Sequence, residues 1–178
     1  MSNYFDFYSL PETFVPDANV IQTTYYRLSR QYHPDFHATK TSDEQAEMLR
    51  LSTLNTDAYR TLSDPDRRMA YILSQRGLLE EGKQEPLPPE FLMDVMDLNE
   101  QLMEQEIEPN PATRAAIEAD VKALADTLDA GIQPLLAGYE GLPAGHRPAE
   151  LQQIRTYYLK KRYLLRIQQQ VATFTSRS

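Results

Sequence analysis

Wherever this chain is apolar in a regular way, it is apolar at intervals of three and four residues. Ile21, Tyr25, Leu28 and Tyr32 form one such stripe, Leu51, Leu54, Ala58 and Leu62 a second, and Ile117, Val121, Leu124 and Leu128 a third. That period puts each set on one face of an α-helix. No run alternates apolar and polar residues as a strand does. Prolines punctuate the stripes at Pro11, Pro34, Pro65, Pro89, Pro111 and Pro148. Proline lacks a backbone N–H and disfavours helical geometry in the residue before it, so it ends a helix or takes its first position. The expected fold is all-α.

Taken in order, residues 3–10 are short and aromatic. Asp17 is placed to cap a helix that runs to Tyr32. Ser42 or Asp43 is expected to cap the next, which runs from Asp43 to Leu62. Facing stripes make these two a helical hairpin, with Tyr32-His33-Pro34-Asp35-Phe36-His37 at its tip. Asp64 and Pro65 have the types of an N-cap and a first helical residue, and Gly77 closes the helix they start. Residues 77–89 hold two glycines and three prolines and read as a linker. Beyond it, one helix starts at Pro88 or Pro89. Another starts at Pro111 under an Asn110 cap, and Gly131 and Pro134 are expected to weaken it before Gly138. The last runs from Pro148 to about Thr173 and is apolar nearly all round, so its period does not say which stripe faces inward. The predicted organisation is a helical unit over residues 1–76, a linker over 77–88 and a three-helix bundle over 89–178.

The 178 residues include no cysteine, which excludes disulfides, zinc–thiolate sites and cysteine ligation of an iron–sulfur cluster. Residues 1–30 lack a basic start followed by an apolar run, so no signal peptide is expected. No apolar run approaches the ~20 residues of a membrane span. The net charge of −8 is uneven: residues 1–76 carry −2, residues 77–147 carry −11 and residues 148–178 carry +5. The acidic middle argues against nucleic-acid binding. The basic last segment suits a helix packed near acidic neighbours. A soluble, cytoplasmic protein is expected.

Two stretches carry chemistry. At the hairpin tip, His33, Asp35 and His37 have the types of metal ligands. Three protein ligands and a supporting shell are needed for a catalytic zinc, and the one further histidine, His146, is remote in sequence. No Gly-x-Ser-x-Gly or glycine-rich phosphate loop occurs, so an enzyme is not expected. A simple turn and a docking loop remain as readings of the tip. At about 100° per residue, Arg27 and Arg30 lie about 200° and 140° round from Tyr25 and face away from the core. The second stretch follows Pro89. Phe91, Val95, Leu98 and Leu102 make a core stripe, while Leu92, Met93, Met96 and Met103 lie about 100–200° round from it. Such a helix is either sandwiched between two others or exposes a methionine-rich binding face. Asp97 and Glu100 would rim that face.

Tyr32-His33-Pro34-Asp35, the run from Leu54 to Pro65 (LNTDAYRTLSDP) and Arg68-Met69-Ala70-Tyr71 resemble a J domain over residues 1–76. The run from Pro89 to Glu100 (PEFLMDVMDLNE) and the segment Ile154 to Leu159 (IRTYYL) are similar to the HscB family, the J-proteins of iron–sulfur cluster assembly. The resemblance implies that His33, Pro34, Asp35, Arg27 and Arg30 dock on a DnaK/HscA-type chaperone and stimulate its ATPase. It implies that Leu92, Met93, Met96 and Leu159, with the acidic rim Asp97 and Glu100, bind an IscU-like scaffold. No cofactor or metal is implied, and neither a nucleic-acid nor a membrane partner. A generic J-domain co-chaperone for other clients is the alternative. One departure stands out: the family pattern has a basic residue and then Phe after His-Pro-Asp, whereas Phe36-His37 follows here. Family members with an N-terminal cysteine zinc module do not match, so the bacterial-type form is expected.

Overall fold

A computed structural model describes residues 3–37, 39–80 and 86–175 of the chain. Its described residues form helices and connecting turns, with no strand. They divide into two compact units: Met1–Gly77 with Tyr139–Gly141, and Leu78–Gly138 with Leu142–Ser178.

The first unit is built on α2 (Ala18–Gln31) and α3 (Ser42–Ser63), which pack against each other as a hairpin, with α1 (Tyr4–Tyr8) and α4 (Pro65–Gln75) laid on α3. The caps explain the boundaries. Asp17 accepts from the Asn19 N–H, and Asp64 accepts from the Arg67 N–H with Pro65 first in α4. Gly77 follows α4 with φ 69°, a left-handed turn that costs glycine least. The cap of α3 differs from expectation. It is Thr41, in a reciprocal capping box: its hydroxyl accepts from the Glu44 N–H while Glu44 accepts from the Thr41 N–H at 3.0 Å. Two orphan donors are satisfied at once.

The core of this unit gathers Phe5, Tyr8, Phe14, Ile21, Leu28, Ala58, Leu62, Ile72 and Leu73, all buried. Asn55 sits among them, 1 % exposed. Its carboxamide accepts from the Tyr8 hydroxyl at 2.9 Å and donates to the Tyr25 carbonyl at 3.1 Å and to Ser29 Oγ at 3.0 Å. One side chain therefore joins α1, α2 and α3 and fixes how the hairpin helices register. Tyr25 and Tyr59 stack across the same seam with centroids 4.3 Å apart. Arg68, also buried, donates to the carbonyls of Phe14 and Leu62 and ties α4 to the end of α3. Burial pushes its pKa down, yet carbonyl acceptors keep the guanidinium hydrogen-bonded.

In the second unit α5 (Pro89–Asp94) and α6 (Met96–Ile107) come where one helix was expected. Val95 leaves helical geometry (φ −104°, ψ 8°), but hydrogen bonds cross it: Val95 N–H to the Phe91 carbonyl at 3.2 Å and Asn99 N–H to the Val95 carbonyl at 3.0 Å. The Asn99 side chain donates to that same carbonyl at 2.9 Å. The result is a one-residue kink in a continuous rod. α7 (Pro111–Gly138) starts under the expected Asn110 cap and runs unbroken to Gly138. Gly131 and Pro134 do not end it. Pro134 and Ala130, whose carbonyl loses its partner there, are both exposed, so water can serve the freed group. α8 (Arg147–Thr175) packs along α7. Its inward stripe, undecided by period, is Leu151, Ile154, Tyr157, Tyr158, Leu164, Ile167 and Val171. The main cluster joins Phe91, Val95, Leu98 and Leu102 to Ile117 and Val121 of α7 and to Leu164, Ile167 and Val171 of α8. Of the expected linker, residues 78–80 fall in this second unit, where Arg155 Nε donates to the Leu78 carbonyl at 2.8 Å. Residues 81–85 lie outside the described residues.

Candidate functional site

The hairpin tip is a closed turn. α2 ends as the Tyr32 N–H reaches the Leu28 carbonyl at 2.9 Å, and a single 3-10 turn, Pro34–His37, follows His33. The Asp35 N–H donates to His33 Nδ1 at 3.2 Å, and the Phe36 N–H to the His33 carbonyl at 3.1 Å. Nδ1 is therefore the acceptor nitrogen, and the neutral ring carries its proton on Nε2. Asp35 Oδ2 lies 3.7 Å from that same Nδ1, too far for a hydrogen bond, which leaves the carboxylate free in solvent. His37 Nε2 donates to the Gln31 carbonyl at 2.8 Å and clasps the far end of the turn to the end of α2.

Phe36 is 71 % exposed and meets the His33 ring edge-on, with centroids 5.9 Å apart. The tip thus offers a donor N–H, a carboxylate and an aromatic ring from exposed residues on a tied loop. Arg27 and Arg30 are exposed on α2, and neither is in an ion pair among the described residues. As for metal binding, the described residues contain no group of three His, Asp or Glu placed to hold an ion. His37 Nε2 is committed to Gln31.

The second site lies on α5 and α6. Phe91, Val95, Leu98 and Leu102 are 0–4 % exposed. On the same rod Leu92 is 47 %, Met93 76 %, Met96 57 % and Met103 65 % exposed. The sandwiched-helix reading fails, and the second apolar face meets solvent. It reaches further than the four residues singled out from sequence: Ile107 is 85 % exposed. The same angular count puts it about 160° from Phe91, so period alone carries the signal. Asp97 and Glu100 are exposed beside the face. Leu159 of α8 is half-buried and shares a groove with Leu92. The arrangement brings Leu92 and Leu159 together, and the kink at Val95 does not turn Met96 inward. Tyr163 fixes the seam between the two rods, with its hydroxyl on Asn99 Oδ1 at 2.7 Å and its ring edge-on to Phe91.

Comparison with known proteins bears on both sites. Residues 3–71 match the family model for the DnaJ domain, and residues 87–172 match that for the HSCB C-terminal oligomerisation domain. A co-chaperone protein HscB homolog of Vibrio cholerae is 32 % identical over 151 residues, spanning 84 % of this chain and 88 % of that one. The chain belongs to the HscB co-chaperone family. A Neisseria gonorrhoeae HscB homolog is 30 % identical over 138 residues, 77 % of this chain and 83 % of its own. Among solved structures, human HscB is 26 % identical, with a TM-score of 0.71 over 97 % of this chain and 82 % of that one. HscB of Vibrio cholerae, at 28 % identity, gives a TM-score of 0.58 over 95 % and 99 %. The expected fold, an N-terminal J domain and a C-terminal HscB-type helical domain, holds. HscB membership makes the protein a J-domain co-chaperone of iron–sulfur cluster assembly, which is not itself an enzyme. No helix among the described residues is long and apolar enough to cross a membrane.

Proposed function

We propose that this co-chaperone carries an IscU-like scaffold on its α5–α6 face and presents it to a DnaK/HscA-type chaperone, whose ATPase the hairpin tip stimulates. The domain limits that go with this reading are 1–76 for the J domain, 77–88 for the linker and 89–178 for the scaffold-binding domain. The observation that carries it is the exposure of Leu92, Met93 and Met96 on a helix whose core positions are already filled. Fully burying one such side chain is worth about 1.5–3 kcal/mol, so three can anchor a partner. Asp97, Glu100 and Leu159 border the anchor. At the tip, Asp35 offers a carboxylate to a cationic group of the chaperone, His33 a ring and an N–H, and Pro34 the geometry that holds them apart. Arg27 and Arg30 supply positive charge along the approach, which speeds encounter with an acidic surface.

Holding both partners on one chain raises the local concentration of scaffold at the chaperone. The hydrolysis itself belongs to the chaperone. The decisive measurement is the chaperone's ATPase rate with wild type and with His33→Gln. Stimulation should vanish in the variant; if it persists, the docking assignment is wrong. Scaffold affinity, measured separately, should fall roughly 10–100-fold in Leu92→Ala/Met96→Ala, as expected for truncated anchors. An unchanged affinity would remove these residues from the site.

A further inference from the structure

A groove of about 600 Å³ lies between α8 and the start of the second unit, and it opens beside the exposed face of α5. Its apolar lining includes Leu87, Leu92, Leu159 and Leu165. Leu165 points outward at 38 % exposure, on a helix whose core stripe is complete without it. Arg162 and Arg166 line the same groove. They sit one turn apart on α8, both exposed, and among the described residues neither is in an ion pair. Glu80 also lines the groove, and neither guanidinium pairs with it.

Two like charges four residues apart repel along a helix face. Each lies over a ring: Arg162 over Tyr158 at 5.7 Å and Arg166 over Tyr163 at 5.0 Å. Ring contacts fix the cations without neutralising them. An arginine pair kept charged and positioned above leucines is a receptor for carboxylate next to apolar side chains.

Angular order on α5–α6 extends the point. From the core stripe, Leu92 lies about 100° round, Met103, Met96 and Ile107 at about 120–160°, Glu100 at about 180°, Met93 at about 200° and Asp97 at about 240°. Going outward from the groove, one therefore meets arginines, then an apolar strip that ends on Met93 beside Glu100, then Asp97 at the far edge.

We infer that the groove is the second half of the scaffold site, and that Arg162 and Arg166 receive a carboxylate-bearing apolar segment of the scaffold. The inference rests on the reading above, since Leu92 and Leu159 belong both to the groove and to that proposed face. The occupant is the scaffold because the groove is continuous with its anchor. Its charge must run acidic to basic where this surface runs basic to acidic, so only one orientation of the scaffold pairs every charge. Arg162 and Arg166 are thus orientation-determining residues, and the leucines supply area.

The test uses the full chain and purified scaffold, with affinity read by calorimetry at two salt concentrations and melting temperature as the control for folding. Arg162→Gln/Arg166→Gln should weaken binding about tenfold and flatten its salt dependence, and charge reversal to Glu should weaken it further. Arg162→Lys, treated with a zero-length carbodiimide, should cross-link to a scaffold carboxylate that mass spectrometry can identify. If both arginine variants bind like wild type while Leu92→Ala/Met96→Ala does not, the inference is overturned and the proposed function stands. Unchanged binding in all of them overturns both. Loss of self-association with unchanged scaffold affinity assigns the groove to a second copy of this chain and also overturns the inference.

Discussion

Asn55 shows how much of the hairpin's register rests on one buried side chain. Its carboxamide is enclosed and engaged by Tyr8, Tyr25 and Ser29. Asn55→Ala would leave the buried Tyr8 hydroxyl without that acceptor and strand two partners on α2. Chemical denaturation should report a loss of about 2–3 kcal/mol, the cost of unpairing buried polar groups. Burial pushes the pKa of Tyr8 well up, in keeping with a hydroxyl that must stay a donor. In the second unit, burial together with the hydrogen bond to Asp129 at 2.6 Å pushes Tyr157 up to about 12. The folded state then holds a proton that the unfolded chain releases near pH 10. Stability from this group is full below pH 10 and is lost as pH rises towards 12, on the order of 2 kcal/mol in all. Alkaline titration of Tyr157→Phe should show a shallower decline than wild type; equal slopes would contradict the assignment.

Among helices, what was legible from sequence was short-range. Asp17, Asp64 and Asn110 each cap the helix they precede, because a cap needs only a side-chain oxygen within three residues of a free N–H. At the start of α3 the expected cap was Ser42 or Asp43, whereas Thr41 is the cap: Thr41 has Glu44 and Ser42 has Gln45 three residues on, so the pattern alone does not choose between them. Thr41→Ala should destabilise the first unit by about 1 kcal/mol, measurable as a lower melting temperature. Hydrogen bonds from the Thr41 backbone and side chain hold the Glu44 carboxyl below its usual range. The cap's contribution is therefore present above the unfolded pKa and lost as pH falls through the folded one. The kink at Val95 was not legible, since neither proline nor glycine marks it and its hydrogen bonds hardly change. Nor was the buried stripe of α8, a helix apolar on nearly every side. Which face turns inward there depends on α6 and α7, and the groove with Arg162 and Arg166 is hidden from periodicity for the same reason.

For the whole molecule, segmental charge foretold more than composition did. The acidic middle and basic last segment of the sequence become, in the second unit, exposed Asp97 and Glu100 on one helix and exposed Arg162 and Arg166 on another. The exposed rod of α5 and α6 has a further consequence, in redox chemistry. The chain has no cysteine, so its readily oxidised sulfurs are thioethers. Met69 is buried at 5 %, whereas Met93, Met103 and Met96 stand at 76, 65 and 57 % exposure along one face. Peroxide should reach those three well before Met69 and ahead of the half-buried Met48 of α3. Each sulfoxide makes an apolar contact polar. If the face and the tip act as proposed, mild oxidation should weaken scaffold capture while leaving chaperone stimulation intact, and a methionine sulfoxide reductase should reverse the loss. Peptide mapping alongside the two assays checks this; an equal loss of both activities would contradict it. A client anchor made of methionine would then report oxidative conditions to the assembly of an oxidation-sensitive cluster.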